Sequence, residues 1–315
     1  MNRQSIIIDT DPGQDDAVAI LLALASPELE LLGITTVAGN VPLALTSRNA
    51  RIVCELAGRR EVPVYAGADR PLLKPLVTAE HVHGRSGLDG PVLPEPTMPL
   101  AAGHAVDFII DTLMRREAGT VTLCPLGPLT NIAQALIREP RIAPRIRRIV
   151  LMGGGGFEGG NITPAAEFNI YVDPQAADLV FRSGVPITMA PLDVTHQAQT
   201  LPHRVAAIRA LGTPLAETVA QWLEFAERFD VQKYGQQGGP LHDPCVIAWL
   251  LQPELFSGRD CHVAIETASP LTQGMTVIDW WGVTGQPANA QVLGGLDAEG
   301  FYALITERLA RLRPA

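Results

Sequence analysis

Four aspartates, Asp9, Asp11, Asp15 and Asp16, crowd into the segment IIIDTDPGQDDAVAILLALA, residues 6–25, just where an apolar run ends. Carboxylates brought within a few ångströms of each other must be neutralised by a cation or forced to take up protons. Pro12 and Gly13 make a turn, and Asp15 and Asp16 then open the apolar helix DDAVAILLALA, whose first turn stabilises negative charge. Capping explains those two. It leaves Asp9 and Asp11, which arrive from the strand, and a bound divalent metal is the economical answer. A motif of oxygen donors, with no Cys or His inside it, suits Ca2+ or Mg2+ better than Zn2+. The spacing is not that of an EF-hand, so other ligands must come from elsewhere in the chain.

Two chemistries fit DTDPGQDD alone. In one, an Asp deprotonates a water activated by the metal, and the water attacks a substrate carbon. In the other, Asp9 attacks a phosphate, as in haloacid-dehalogenase-type phosphatases, which also begin with a strand ending in DxD. The phosphatase needs a downstream Lys and an acidic pair, often in a Gly-Asp motif. Here Lys74 and Lys233 are the only lysines and no Gly-Asp dipeptide occurs, so the first reading is preferred.

Further along, LHDPCVIAWLL sets His242 and Asp243 ahead of Pro244 and an apolar helix. Asp243 could be a plain N-cap before a proline, or a distant metal carboxylate that brings His242 to the active centre as an acid. His83 in HVHGRSGLDG is a second candidate acid. In MGGGGFEGGNITPAAEFNIYVDP, Gly154 to Gly159 match GxGxxG, but an irregular polar loop follows instead of a helix, so the dinucleotide reading fails. Glycines there let backbone approach a ligand, while Asn161, Glu167 and Asn169 offer donors and acceptors suited to a polyhydroxyl group, or the segment is simply a turn-forming loop. PLGPLTNIAQAL can aim a backbone carbonyl into the same crevice, and Asn40 in TVAGN can hold a hydroxyl or merely end a strand.

The elements that must position these groups read as an α/β alternation. SIIID, LELLGITTV, VTLCPL, RRIVLM and VPITMA are the expected strands. Asp15–Ala25, Pro42–Ala57, Ala101–Glu117, Leu129–Ile137 and Pro174–Arg182 are the expected helices. Ligands in such sheets gather beyond the carboxyl ends of the strands, which is where the acidic cluster falls. Asp69–Leu100 and Glu227–Pro244 break the alternation and read as lids or binding loops. HVAIET and MTVIDWW read as late strands and DAEGFYALITERLARL as a closing helix. No repeat or linker divides residues 1–315, which are expected to form one domain.

The 315 residues are 47% hydrophobic with a formal charge of −9, enough for a large core and unfavourable for nucleic acid or an anionic membrane. Cys54, Cys124, Cys245 and Cys261 are widely spaced and read as buried, reduced thiols. With no basic leader and with AVAILLALA as the longest apolar run, too short to span a bilayer, a soluble cytoplasmic protein is expected.

Together, DTDPGQDDAVAILLAL, TTVAGN, HGRSGLDGP, PLGPLTNIA, MGG, GNITPAAEFNIYVDPQAA and PLHDPCVIAWLL resemble, in order and over nearly the whole chain, the inosine-uridine-preferring nucleoside hydrolases. The resemblance implies a single Rossmann-like domain around a mixed, mostly parallel sheet flanked by helices, with mobile loops over the active site, assembled as a homodimer or homotetramer. It implies calcium-dependent hydrolysis of the N-glycosidic bond of ribonucleosides to free base and ribose, within purine and pyrimidine salvage or nucleoside catabolism. A non-catalytic riboside-binding member is the alternative. Matched residue by residue, Ca2+ would be held by Asp11, Asp16, the Leu126 carbonyl and Asp243, Leu126 replacing a threonine of some members. Asp15, Asn40, Asn161, Glu167 and Asn169 would grip the ribose near the Met152 backbone. Asp11 would be the general base and His242 the acid, with His83 or Tyr234 assisting. His83 and His242 resemble the pyrimidine-preferring bacterial branch, so uridine and cytidine are expected ahead of inosine. Asp230 stands where some of those members carry a glutamine.

Overall fold

A computed structural model describes residues 3–234 and 237–312, with the backbone alone at 229, 230 and 232–234. In chain order the elements are β1 (Gln4–Thr10), α1 (Gln14–Leu24), β2 (Leu29–Thr36), α2 (Leu43–Leu56), β3 (Val64–Ala66), α3 (Glu80–His83) and α4 (Ala105–Arg115). There follow β4 (Val121–Pro125), α5 (Thr130–Arg138), β5 (Ile146–Met152), α6 (Phe168–Val172), α7 (Pro174–Phe181), β6 (Ile187–Ala190) and α8 (Leu192–Thr195). The chain ends through α9 (Pro202–Arg209), α10 (Pro214–Tyr234), α11 (Pro244–Leu251), β7 (Phe256–Ile265), β8 (Thr276–Asp279), β9 (Ala290–Leu296) and α12 (Ala298–Leu309).

All these strands join one sheet in the order β3-β2-β1-β4-β5-β6-β9-β7-β8. The run from β3 to β9 is parallel, while β7 pairs antiparallel with both β9 and β8. β1 is buried from Ser5 onward because helices cover both faces, which is why it reads as an unbroken apolar run. Its period of two sends Ile6 and Ile8 into the core formed with α1, α10 and α11. Ile7 points into the core formed with α4, α5 and α7. The strand order reverses direction at β1, with β2 and β3 on one side and β4, β5 and β6 on the other. The crevice between the carboxyl ends of β1 and β4 is therefore the switch point where ligands of such sheets sit.

The expected strands and helices form, with ends displaced by a few residues. Helix α4 starts later than expected because His104 caps it, its Nδ1 accepting from the Val106 amide. Three expectations are corrected. Glu227–Tyr234 is not irregular: α10 continues through it, its Leu215, Val219, Trp222 and Leu223 forming a buried stripe at helical spacing. HVAIET is only the end of the longer β7. EFNIYVDP contains the short helix α6 within the loop read as irregular. Strand β9, which slots between β6 and β7, was not anticipated, because AQVLGGL carries two glycines and little β-branching. All four cysteines are buried free thiols. No helix among the described residues is long and apolar enough to cross a membrane.

Candidate active site

The acidic residues converge at the switch point. Asp9 is the last but one residue of β1, level with Thr35 of β2 and Pro125 of β4. It is fully buried, with Oδ1 accepting from Thr35 Oγ1 and from Asn131 Nδ2 at 2.8 Å, and with Oδ2 lacking a partner among the described residues. Burial pushes its pKa up to about 7 against those two hydrogen bonds. Asp11 is equally buried; its Oδ2 accepts from the Asn40 amide at 2.7 Å, and its Oδ1 has no partner among the described residues. Two glycines make room for this carboxylate: a Cβ on Gly39 or on Gly127 would collide with it.

Asp16 sits in the first turn of α1, where Oδ2 accepts from the Gly13 amide at 2.8 Å and from Asn40 Nδ2 at 3.2 Å, and Oδ1 accepts from Thr10 Oγ1. Asp243 precedes Pro244 at the start of α11, yet its carboxylate makes no capping bond, so the N-cap reading fails and the group is left facing the acidic cluster. Asp15, Asp16 and Asp243 each place an oxygen within 4.8 Å of the others. Asp11, expected among the metal ligands, lies outside that closest trio, and Asp15, expected on the ribose, lies inside it.

Burial is the largest influence on Asp11, Asp16 and Asp243 and raises all three pKa values, Asp16 to about 7; after burial, the neighbouring aspartates raise them further. Among the described residues, no cationic side chain is a leading influence on any of the three. A buried cluster of like charges with an orphaned oxygen on Asp11, all of its donors oxygen, matches a hard divalent cation.

The remaining expected groups line one cavity with Asp15 and Asp243. Asn169 of α6 bridges two strand ends, its Nδ2 donating to the Leu126 carbonyl at 2.7 Å and to the Met152 carbonyl at 3.2 Å. Glu167 caps α6, accepting from the amides of Asn169 at 2.9 Å and Gly154 at 2.8 Å, and burial lifts its pKa to about 7. Asn161 Oδ1 accepts from the Phe168 amide at 2.9 Å. Asn40 and Leu126 complete this wall, and His83 and His242 stand among the lining residues. Burial lowers the pKa of both histidines, that of His242 to about 4, so at neutral pH each is an uncharged ring with one donor and one acceptor nitrogen. The side chains of Tyr234 and Asp230 fall outside the described part of the structure.

Several site residues were not singled out from sequence. Gln14 meets His83, Thr195 meets His242, and His196 sets its ring 5.8 Å from that of His242. Thr195 and His196 close α8, directly after β6. The rule that ligands gather after strand ends pointed at that loop, but its PLDVTH carries no charge cluster to draw notice.

Residues 6–303 match the family described as inosine-uridine preferring nucleoside hydrolase. The chain is similar to an uncharacterized protein of Schizosaccharomyces pombe, 56% identical over 98% of this chain and 99% of that one. It is similar to the pyrimidine-specific ribonucleoside hydrolase RihA of Shewanella sp. (strain ANA-3), 51% identical over 98% and 97% of the two chains. Among solved structures it resembles the purine-preferring ribonucleoside hydrolase from Gardnerella vaginalis, with a TM-score of 0.91, 34% identity, and coverage of 98% of this chain and 99% of that one.

Proposed function

Because this chain belongs to the inosine-uridine preferring nucleoside hydrolase family and is a ribonucleoside hydrolase, we propose that it is calcium-dependent and prefers uridine and cytidine to inosine. The observation that carries this reading is one cavity at the β1–β4 switch point that joins uncompensated buried carboxylates to two neutral histidines. The pyrimidine preference is supported by the pyrimidine-specific RihA relatives at about half identity and by a cavity whose described lining includes no tryptophan to stack a purine.

Asp11, Asp16, Asp243 and the Leu126 carbonyl would hold the ion; that carbonyl already accepts from Asn169 and keeps a second lone pair. When bound, calcium supplies a positive charge that makes a water more acidic and orients ribose hydroxyls. Asp15, Asn40, Asn161, Glu167 and Asn169 grip the sugar beside the Met152 backbone. Their acceptor oxygens stabilise the oxocarbenium charge that develops at C1′, which is larger in the transition state than in the substrate. Asp11 takes a proton from the attacking water, the water oxygen bonds to C1′, and the electrons of the C1′–N bond pass to the base. The base ends neutral by gaining one proton. His242, a neutral ring, is the group that donates a hydrogen bond to the departing base through its N–H, and the net proton the base gains is the one that water gives up, so the ring ends neutral; His83 and Tyr234 are assigned to assist.

Incubation with uridine, cytidine, inosine and adenosine, scored as free ribose with and without chelator, tests the assignment. Ribose from the pyrimidine nucleosides, lost on chelation, is the expected outcome; faster release from inosine would reverse the preference. His242→Gln is expected to slow uridine on the order of a hundredfold or more, while a nitrophenyl riboside, whose leaving group needs no donor, slows far less. Equal losses on both substrates would remove the donor role.

The same reading carries a homodimer or homotetramer. Trp281 and Val283 are 74% and 84% exposed on the turn after the edge strand β8, and Phe157, packed edge-on against Trp280, is 74% exposed. An apolar group of this kind suits burial against a second copy of the chain. Sedimentation at a multiple of the 33.7 kDa chain mass is expected, and a monomer at micromolar concentration would overturn it.

A further inference from the structure

We infer that Gln14 and Thr195 hold the two cavity histidines in opposite tautomers, so that His242 offers an N–H at Nε2 while His83 offers a bare Nε2 acceptor. The inference rests on the donor role of His242 proposed above, and it gives a physical reason why the two rings divide the labour.

Thr195 closes α8 and is fully buried, and its hydroxyl lies 2.7 Å from His242 Nδ1, the partner it has among the described residues. A buried hydroxyl hydrogen without an acceptor is costly. Were Nδ1 protonated, it would donate to Thr195 Oγ1 and strand that hydrogen. Thr195 therefore donates, Nδ1 accepts, and the ring proton is carried on Nε2, the far nitrogen of a ring that lines the cavity.

His83 is held the other way. The Gln14 amide nitrogen donates to two backbone carbonyls, those of His83 at 2.9 Å and Asp89 at 3.1 Å. Turning the amide over would face its oxygen to both carbonyls, so the arrangement is fixed by the loop that carries His83. Gln14 Oε1 is then the atom 2.7 Å from His83 Nδ1, and an amide oxygen only accepts. His83 must donate through Nδ1, which leaves its Nε2 as an acceptor in the neutral ring. His83 can receive a hydrogen bond from a base N–H or a sugar hydroxyl, but it cannot take over donation to the departing base. Gln14 and Thr195 are positioning residues: each acts through its histidine.

NMR of the ring nitrogens in full-length, calcium-loaded protein carrying isotope-labelled histidine, with the signals assigned by their loss in His242→Gln and His83→Gln, reads the tautomers directly. The expected spectrum has His242 protonated at Nε2 and His83 at Nδ1. In Thr195→Val, His242 becomes a mixture of tautomers and kcat for uridine falls on the order of tenfold to a hundredfold with KM changed by less than about threefold. Thr195→Ser restores both, and Thr195→Val adds little to His242→Gln. Both rings protonated on the same nitrogen, or a Thr195→Val enzyme with unchanged tautomer and unchanged kcat, would overturn the inference. Full activity in His242→Gln would instead remove the donor role, while the tautomers of the wild-type protein still decide whether the lock exists. Should Thr195→Val not fold, the wild-type spectrum alone decides.

Discussion

Asp11→Ala is expected to lower kcat/KM for uridine by about ten-thousand-fold or more, because one substitution removes both the proposed base and a proposed calcium ligand. The side chain is fully buried, one of its oxygens has no partner among the described residues, and it sits against other acidic groups that raise its pKa. Removing it relieves repulsion in the metal-free chain, so the fold should survive the loss of the Asn40 amide's acceptor. Asp11→Asn separates these effects: its amide oxygen still accepts from Asn40, but it can neither take a proton from water nor pair as a charge with the ion. Both variants should melt cooperatively near the wild-type temperature and both should be inactive. Either one retaining activity within tenfold of wild type would take the role from Asp11.

Withdrawal of calcium should be the second large effect, on turnover and on stability together. In the metal-free chain Asp9 and Asp16 have pKa values near 7 against 3.8 when exposed, so the folded state holds protons that the unfolded state releases between about pH 4 and pH 7. The stability those groups contribute is complete below the lower value. It is lost as pH rises through the upper one, so the metal-free protein should weaken across that window and level off above it. Calcium binds the deprotonated carboxylates, and its stabilisation must therefore grow over the same window. At a calcium concentration a hundredfold above Kd the gain is about 2.7 kcal/mol, or roughly 4 °C in Tm for a chain of this size. Calorimetry with calcium and with chelator at acidic and mildly alkaline pH reads this. A calcium-induced shift equal at both pH values, or none, would count against a carboxylate site, and full turnover in chelator would end the metal requirement.

The two cases differ in how far they could be foreseen. DTDPGQDD identifies itself because its charges are adjacent in the chain, so their mutual repulsion is a local fact, and the need for a cation follows from Coulomb's law before any fold is known. The same holds for β1 and α1, whose apolar runs and capping turn are set by neighbours in sequence. The distant carboxylate Asp243 was readable only as one of two alternatives. A residue before a proline at a helix start has the same local signature whether it caps the helix or faces a ligand, and the absent capping bond that decides between them is a property of the folded chain.

The α/β alternation, the acidic loop after the first strand and the family-like order of motifs are legible in the chain before it folds, each resting on interactions between residues close together in it. Tertiary structure alone decided that β9 enters between β6 and β7, that α10 runs on through Tyr234, that Asp15 joins Asp16 and Asp243 in the tightest trio, and that Gln14 meets His83 and Thr195 meets His242. The reason is that a buried polar group must find its hydrogen-bond partner wherever packing delivers one. The partners of the two histidines lie 69 and 47 residues away, beyond the reach of any local pattern.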